Sequence, residues 1–366
     1  MELSYLTHKR ILVISPESYD HIPVSKHHYS NALANAGNEV YFLNPPSGQD
    51  KVTDHALIKG LHIVDYKTIR GLNRLPKFLR DYFTSALIRK IERLCGVSFD
   101  VVWTFDPFRF QNLLLFRSAD KKIYHAVDVH LAPLELEMAK TSDVILAVSE
   151  KILKRYAALG KVTAKISHGL ASHFLENALV KTASSGVKVG YIGNLDNWCI
   201  DQSTLLRIVE DHPAVSFYFI GPYKRDSFLG NKLSTFSNCT LLGKIPSANL
   251  PGYLFQYDLF LMCYNGDDVD VNSNHHKILE YLATGKPSVI NFTDEYKDND
   301  VVIMSRKNAE LPQLFHDVVT RLEHYSTPEW EKKRIAFARS NSYRNHVGTI
   351  DKILANFRHA PASRPE

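Results

Sequence analysis

The sequence predicts an α/β protein built from two doubly wound, Rossmann-like domains. Short β-branched runs alternate with segments of helical spacing along most of the chain, the pattern of successive βαβ units on a parallel sheet. That pattern breaks after Phe174 and restarts at Val187. The chain length of 366 residues suits about two domains of roughly 150 residues each.

The elements follow in order. Ile11–Ser15 reads as the first strand, His28–Ala36 as a helix ended by Gly37, and Glu39–Leu43 as a strand stopped by Asn44-Pro45-Pro46. Asp100–Thr104, Lys122–Val127 and Val144–Val148 read as further strands, with helices over Pro76–Cys95, Phe108–Arg117 and Ser149–Leu159. The small, polar, weakly patterned stretch Lys181–Gly186 suits an interdomain linker. Beyond it, Val187–Ile192, Val215–Ile220, Thr240–Leu242, Asp258–Cys263 and Ser288–Ile290 read as strands, and Gln202–Glu210 and Ala248–Phe255 as helices.

Composition excludes several classes. Hydrophobic residues make up 45% and charged residues 23%, the mix of a globular protein. A net charge of +5 from 44 basic and 39 acidic side chains is too mild to imply nucleic acid. Cys95, Cys199, Cys239 and Cys263 form no C-x-x-C unit, so neither a zinc site nor a disulfide scaffold is indicated. The first residues lack a long apolar h-region, and no segment approaches the roughly 20 apolar residues of a membrane span. A reducing cytoplasm is the expected compartment.

The most informative stretch is Asn272–Pro287. A polar loop precedes a short helix that stops at Gly285-Lys286-Pro287 ahead of Ser288-Val289-Ile290. Free N–H groups and the positive dipole end make a helix N-terminus an anion site. Lys277 in the first turn works against the dipole unless something doubly negative sits there, and Glu280 leaves the same side at i+3. Glycine-marked loops follow the other strands of this half: Gly193–Trp198, Gly221–Arg225, Gly243–Pro246 and Tyr264–Gly266. Ligands of open parallel sheets bind outside such carboxyl ends. Neither half carries G-x-G-x-x-G after its first strand, and G-x-x-x-x-G-K-[ST] is absent, which argues against an ordinary NAD-binding domain and a P-loop enzyme.

With these residues in hand, the sequence resembles the GT-B glycosyltransferases, in their broad group-1/family-4-like set, of the divergent bacterial type that builds surface polysaccharides. Ala34–Val40, Asp143–Leu170 with Ser167-His168-Gly169-Leu170, Val189–Gly193, Phe219–Pro222, Leu241–Lys244 and above all His276–Ile290 carry the resemblance over most of the chain. Three features depart from it. Asn272 stands where the family often has a glutamate eight residues before the Glu280 position, Pro23–His28 replaces its early glycine-rich loop, and the loop Asn194–Trp198 after Gly193 shows no basic residue of the kind that often follows there.

The resemblance implies two Rossmann-like domains facing a cleft: residues 1–175 for the acceptor, 187–342 for the nucleotide sugar, and 343–366 as a helix returning to the first domain plus a tail. It implies transfer of a sugar from a nucleotide-diphosphate sugar, with uridine the default base, to a saccharide or lipid-linked hydroxyl. No cofactor is expected, the nucleotide sugar being a co-substrate. Gly193, Asn194, Lys244, Asn272, Ser273, Asn274, His275, Lys277 and Glu280 are the expected donor-binding residues. Lys277 and the helix start would neutralise the diphosphate, Glu280 would hold ribose hydroxyls, and the Gly243–Pro246 loop would lie near the base. A sugar-nucleotide epimerase of the same fold and a non-catalytic binding subunit are the alternatives, the latter favoured by Asn272.

Asp106 and Asp128 each follow a first-half strand, and Asp128 is the favoured catalytic carboxylate, a general base or a hydrogen-bond partner of the transferred sugar. Asp268-Val269-Asp270 matches a metal-binding D-x-D, but a lysine at a positive helix end already balances a diphosphate, so no metal is expected. The adjacent pairs His27-His28 and His275-His276 point apart on a helix and are not read as metal ligands. The basic, apolar-interleaved stretch 66–95 is a candidate contact for an anionic membrane, which would place the protein peripherally at the inner face of the cell membrane.

Overall fold

A computed structural model describes residues 3–69, 71–128, 133–175, 186–268 and 275–357. The chain divides into two compact units, one of Met1–Ser167 with Tyr343–Glu366 and one of His168–Ser342.

The first unit holds β1 (Arg10–Ile14), β2 (Glu39–Leu43), β3 (Lys51–Asp54), β4 (Leu61–Asp65), β5 (Val101–Thr104), β6 (Lys121–Ala126), β7 (Val144–Ala147) and β8 (Val162–Lys165). They form one sheet in the order β3-β4-β2-β1-β5-β6-β7-β8. Every pair is parallel except β3 with β4. The helices of this part are α1 (Ser25–Asn35), α2 (Lys77–Cys95), α3 (Pro133–Thr141) and α4 (Glu150–Lys154). Ile11, Leu12, Val13 and Ile14 are fully buried, because helices cover both faces of a parallel sheet, so the strand reads as an unbroken apolar run.

The helix expected over Phe108–Arg117 is not there. Only a single 3-10 turn, Leu113–Leu115, forms within it. Phe110 takes a positive φ of 52°, which no helix accommodates. Asp106 accepts from the backbone N–H of Phe108 at 2.8 Å and pairs with Arg109 Nε at 2.5 Å, locking a loop instead. The segment Ser149–Leu159 likewise splits into α4 and the 3-10 turn Ala157–Leu159.

The second unit holds β9 (Lys188–Ile192), β10 (Ser216–Ile220), β11 (Cys239–Gly243), β12 (Leu259–Met262), β13 (Ser288–Ile290) and β14 (Ile303–Met304). All pairs are parallel, in the order β11-β10-β9-β12-β13-β14. Its helices are α5 (Gln202–Asp211), α6 (Phe228–Leu233), α7 (Leu250–Leu254), α8 (Lys277–Ala283), α9 (Leu311–Thr320), α10 (Leu322–Tyr325) and α11 (Pro328–Ser340). The expected helix over Ala248–Phe255 is a 3-10 turn, Ser247–Asn249, running into α7.

The chain ends on α12 (Tyr343–Asn356), which belongs to the first unit. Tyr343, Val347, Ile350 and Leu354 enter the core that Tyr29 and Leu33 of α1 line. Asp351 accepts from the backbone N–H groups of Ser4, Tyr5 and Leu6 at 2.8, 2.8 and 2.6 Å, fixing the segment before β1 to this helix.

Candidate functional site at the strand ends of the second unit

β9 is flanked by β10 on one side and β12 on the other, so the strand order reverses there. The crevice outside the carboxyl ends at such a switch point is where open α/β sheets take ligands. Three loops meet there through their backbones. The Gly193 N–H donates to Ile220 O at 2.9 Å, Gly221 N–H to Gly243 O at 2.8 Å, and Leu195 N–H to Pro222 O at 3.0 Å. Gly221 sits at φ 153°, and a Cβ there would lie 1.8 Å from Gly193 O. Only glycine fits this crossing. Asn194 is exposed, and its Oδ1 accepts from the Asp196 N–H at 3.0 Å, shaping its own turn. Lys244 is exposed beyond β11.

The loop after β12 is held by two asparagines. Asn291 Oδ1 accepts from the Tyr264 N–H at 2.8 Å. Asn308 Oδ1 accepts from the Gly266 N–H at 3.0 Å, while its Nδ2 donates to Tyr264 O at 2.7 Å and to Asp201 Oδ2 at 2.8 Å. Asp201 also caps α5, accepting from the Thr204 N–H at 3.1 Å. Burial raises the Asp201 carboxyl, but hydrogen bonds from Asn308, Thr204 and Ser203 outweigh it and leave the group below its ordinary value. A Cβ on Gly266 would meet the Phe292 backbone at 2.9 Å, so the loop passes directly over the end of β13.

This loop leads towards α8, a helix of seven residues. Tyr281 accepts from the Ile192 N–H at 2.9 Å, tying α8 to the last residue of β9. Its ring stacks on Phe260 of β12 at 4.4 Å and 8°. Lys277 Nζ lies 3.0 and 3.1 Å from the two Glu280 carboxylate oxygens. Glu280 is only 9% exposed, so the pair is not an ordinary solvated surface pair. Burial pushes its carboxyl above the ordinary value, and Lys277 offsets part of that rise. The arrangement offers a cation already aligned by a buried carboxylate, beside the switch point.

His275 and His276 diverge as adjacent residues must. The His275 ring meets Tyr264 edge-on at 4.7 Å and His276 meets His168 at 5.8 Å. Asn272, Ser273, Asn274 and the Val269-Asp270 part of the D-x-D lie outside the described residues. No cluster of three or more His, Cys, Asp or Glu side chains suited to a metal occurs among the described residues.

In the first unit, Asp128 is exposed two residues beyond β6. Asp106 is buried and bound to Arg109, whose guanidinium also reaches Asn44 O at 2.8 Å, the Tyr66 hydroxyl at 3.1 Å and Ser15 O. That carboxylate is a structural anchor. His125 is fully buried and stacks on Phe105 at 4.9 Å, within the core. Glu135 of α3 is also fully buried, accepting from Tyr124 at 2.9 Å, Tyr156 at 2.6 Å and Arg155 at 3.0 Å, which fixes the helix that follows the Asp128 loop.

Sequence reasoning missed Asn291, Asn308 and Glu135. Asn308 three residues before an amphipathic run is an available helix-start signal. Nothing local marks the other two, whose partners lie 11 to 27 residues away.

No protein-family model matches the sequence, and no curated protein matches it. Solved structures do match its fold. A glycosyltransferase from Rickettsia africae ESF-5 is 13% identical, with 95% of this chain and 99% of that one covered and a TM-score of 0.68. Anabaena HepE in complex with UDP-glucose is 14% identical, with 96% and 100% covered and a TM-score of 0.65. WaaG, a glycosyltransferase involved in lipopolysaccharide biosynthesis, is 13% identical, with 95% and 100% covered and a TM-score of 0.59. With an eight-stranded and a six-stranded Rossmann-like sheet and a last helix that joins the first unit, this chain has the GT-B fold.

Proposed function

We propose that the protein is a glycosyltransferase that moves a sugar from a UDP-sugar to a hydroxyl of a saccharide or lipid-linked acceptor in cell-surface polysaccharide biosynthesis. The observation that supports this most is the buried Glu280 holding Lys277 at the carboxyl end of the central strands of the second unit. The full-length likeness of fold to a glycosyltransferase and to a protein bound to UDP-glucose supports the same reading.

In this reading residues 187–342 bind the donor and residues 1–175 the acceptor. The acceptor oxygen forms a bond to the anomeric carbon as the bond from that carbon to the diphosphate oxygen breaks. Negative charge develops on the departing nucleotide, and Lys277, with the donors of residues 272–275, stabilises it without a metal. Glu280 holds Lys277 in place before the donor arrives and turns one oxygen to the ribose hydroxyls when it binds. Gly193 and Asn194 let the donor approach the β9 end closely, and Lys244 borders the base. Asp128 removes the acceptor proton or hydrogen-bonds the transferred sugar. The enzyme works at the inner face of the cell membrane, with 66–95 towards an anionic surface.

The test is nucleotide release from UDP-sugars by the parent, Lys277→Ala and Glu280→Ala proteins. The assignment predicts a loss of at least about a hundredfold in kcat/KM, the scale of one removed charge-stabilising donor. Turnover by both variants at the parent rate contradicts it.

A further inference from the structure

Helix α2 of the first unit turns one stripe to solvent. Of its 19 residues, the exposed ones are Lys77, Phe78, Tyr82, Arg89 and Arg93. Two are aromatic, three are basic and none is acidic. At about 100° per residue, Phe78, Tyr82, Arg89 and Arg93 fall within about 60° of one another, along about 22 Å of helix. The other side is the packed one. Thr84, Ile88 and Ile91 are buried, and the two isoleucines join the core that holds Leu12, Val102 and Ile145. Phe78 and Tyr82 are 71% and 66% exposed, so two rings one turn apart stand in water.

The two arginines carry charge that the fold does not balance. The ion pairs of α2 use Lys77, Arg80, Asp81 and Lys90, and none among the described residues engages Arg89 or Arg93. Both arginines line an open recess at the end of the helix, with Arg10, Glu92, Val97 and Ser98. The acids near the stripe are engaged elsewhere. Glu92 accepts from Ser118 Oγ at 2.8 Å and Asp81 from Asn112 Nδ2 at 3.1 Å. Arg10 pairs with Asp100 at 2.7 Å.

The stripe also has a direction. α2 follows β4 and leads back to the start of β5, so Phe78 and Tyr82 lie towards the carboxyl ends of this sheet and Arg89 and Arg93 towards its amino ends. Ligands of such sheets bind at the carboxyl ends.

We infer that α2 lies along an anionic bilayer, with the rings of Phe78 and Tyr82 among the head groups and the guanidinium groups of Arg89 and Arg93 on lipid phosphates. Aromatic rings beside cations suit a helix lying in the interface plane, and guanidinium meets phosphate through paired hydrogen bonds. This contact deepens the membrane placement in the proposed function, on which it rests, by naming the face and the lipid chemistry. Lys67 and Arg74, exposed cations of the same stretch that lie outside α2, separate the two readings.

The test is co-sedimentation of the full chain with phosphatidylcholine vesicles, with and without phosphatidylglycerol, in the absence of nucleotide sugar. Binding is expected only with phosphatidylglycerol, and it is lost at about 1 M salt, where charges are screened within about 3 Å. Arg89→Gln/Arg93→Gln weakens it about twenty-fivefold, roughly fivefold for each cation. Phe78→Ser/Tyr82→Ser weakens it about tenfold, for two partly buried rings. All four residues are exposed, so both variants keep the parent unfolding midpoint. Lys67→Gln/Arg74→Gln binds as the parent does. Parent-like binding by both α2 variants, with loss in Lys67→Gln/Arg74→Gln, keeps the membrane placement and overturns the stripe. Equal binding to phosphatidylcholine alone overturns the lipid chemistry, and no binding by the parent at low salt overturns stripe and placement together. None of these results touches the donor site, which UDP titration reads.

Discussion

Replacing Asn308 by alanine removes three hydrogen bonds at once. The side chain is 5% exposed and uses both ends of its amide, on the Gly266 N–H, on Tyr264 O and on the Asp201 carboxylate. Two of these are neutral bonds, each worth about 1 kcal/mol net, and the one to the carboxylate is worth about 1.5–3. Their sum is about 4 kcal/mol, reduced where water enters the space left behind. For a unit the size of His168–Ser342 that corresponds to a fall of roughly 8–16 °C in its unfolding midpoint. Differential scanning calorimetry reads this directly, and two units call for a two-transition fit. Asn308→Asp sharpens the test. It keeps the acceptor for Gly266 but sets a second carboxylate against Asp201, so it should be at least as damaging as alanine near neutral pH and recover as pH falls through the carboxylate range. A loss under about 1 kcal/mol for Asn308→Ala, or a parent-like Asn308→Asp, refutes the idea that this amide moors the loop after β12.

Other expectations follow from single positions. Gly221→Ala drives a Cβ to 1.8 Å from Gly193 O and should cost at least about 3 kcal/mol, whereas Gly243→Ala, at φ 67° with nothing within 4 Å, should cost only about 1–2 kcal/mol of backbone strain; equal midpoints for the two contradict this. His346 is 8% exposed and burial lowers its imidazole from the ordinary 6.5 to about 4. Between those values the unfolded chain takes up a proton that the native one refuses, so stability falls as pH drops, by about 1.4 kcal/mol per unit and about 3 in all. Urea unfolding from pH 7 to 4 should show that slope reduced in His346→Gln, and an unchanged slope refutes it. Glu135→Gln keeps the shape but removes the charge facing Arg155, and should cost about 2–4 kcal/mol by leaving that guanidinium short of its carboxylate, read by the same titration.

The fold was legible where burial is two-sided. Ile11-Leu12-Val13-Ile14 and Leu259-Phe260-Leu261-Met262 are continuous apolar runs because helices cover both faces of these strands. The edge strands were not legible, for the same reason reversed: Lys51–Asp54 and Val162–Lys165 are largely exposed, so nothing in their composition separates them from loop. Leu113–Leu115 misled, because only Leu113 of that apolar triplet is buried while Leu114 is 60% exposed, and the positive φ of Phe110 is invisible in sequence. At the candidate site, Lys277 and Glu280 were readable from their spacing on a short helix. Asn291 was not, and the place of Asn308 ahead of an amphipathic run signals only a helix start, since each works by reaching a strand end 27 or 44 residues away. Asp106 and Asp128 looked alike in sequence, and it is the Arg109 pair at 2.5 Å that gives Asp106 an anchoring role.

In the proposed function the buried Lys277–Glu280 pair forms the donor site. Calorimetric titration of UDP tests it most directly, comparing the parent with Lys277→Ala and Glu280→Gln under one buffer. Saturable one-to-one binding is expected of the parent, weakened about tenfold or more by Lys277→Ala, since a lost charge-assisted bond to phosphate is worth about 1.5–3 kcal/mol. A smaller loss is expected for Glu280→Gln, which keeps one oxygen for the ribose. UDP binding of equal affinity by all three proteins contradicts it.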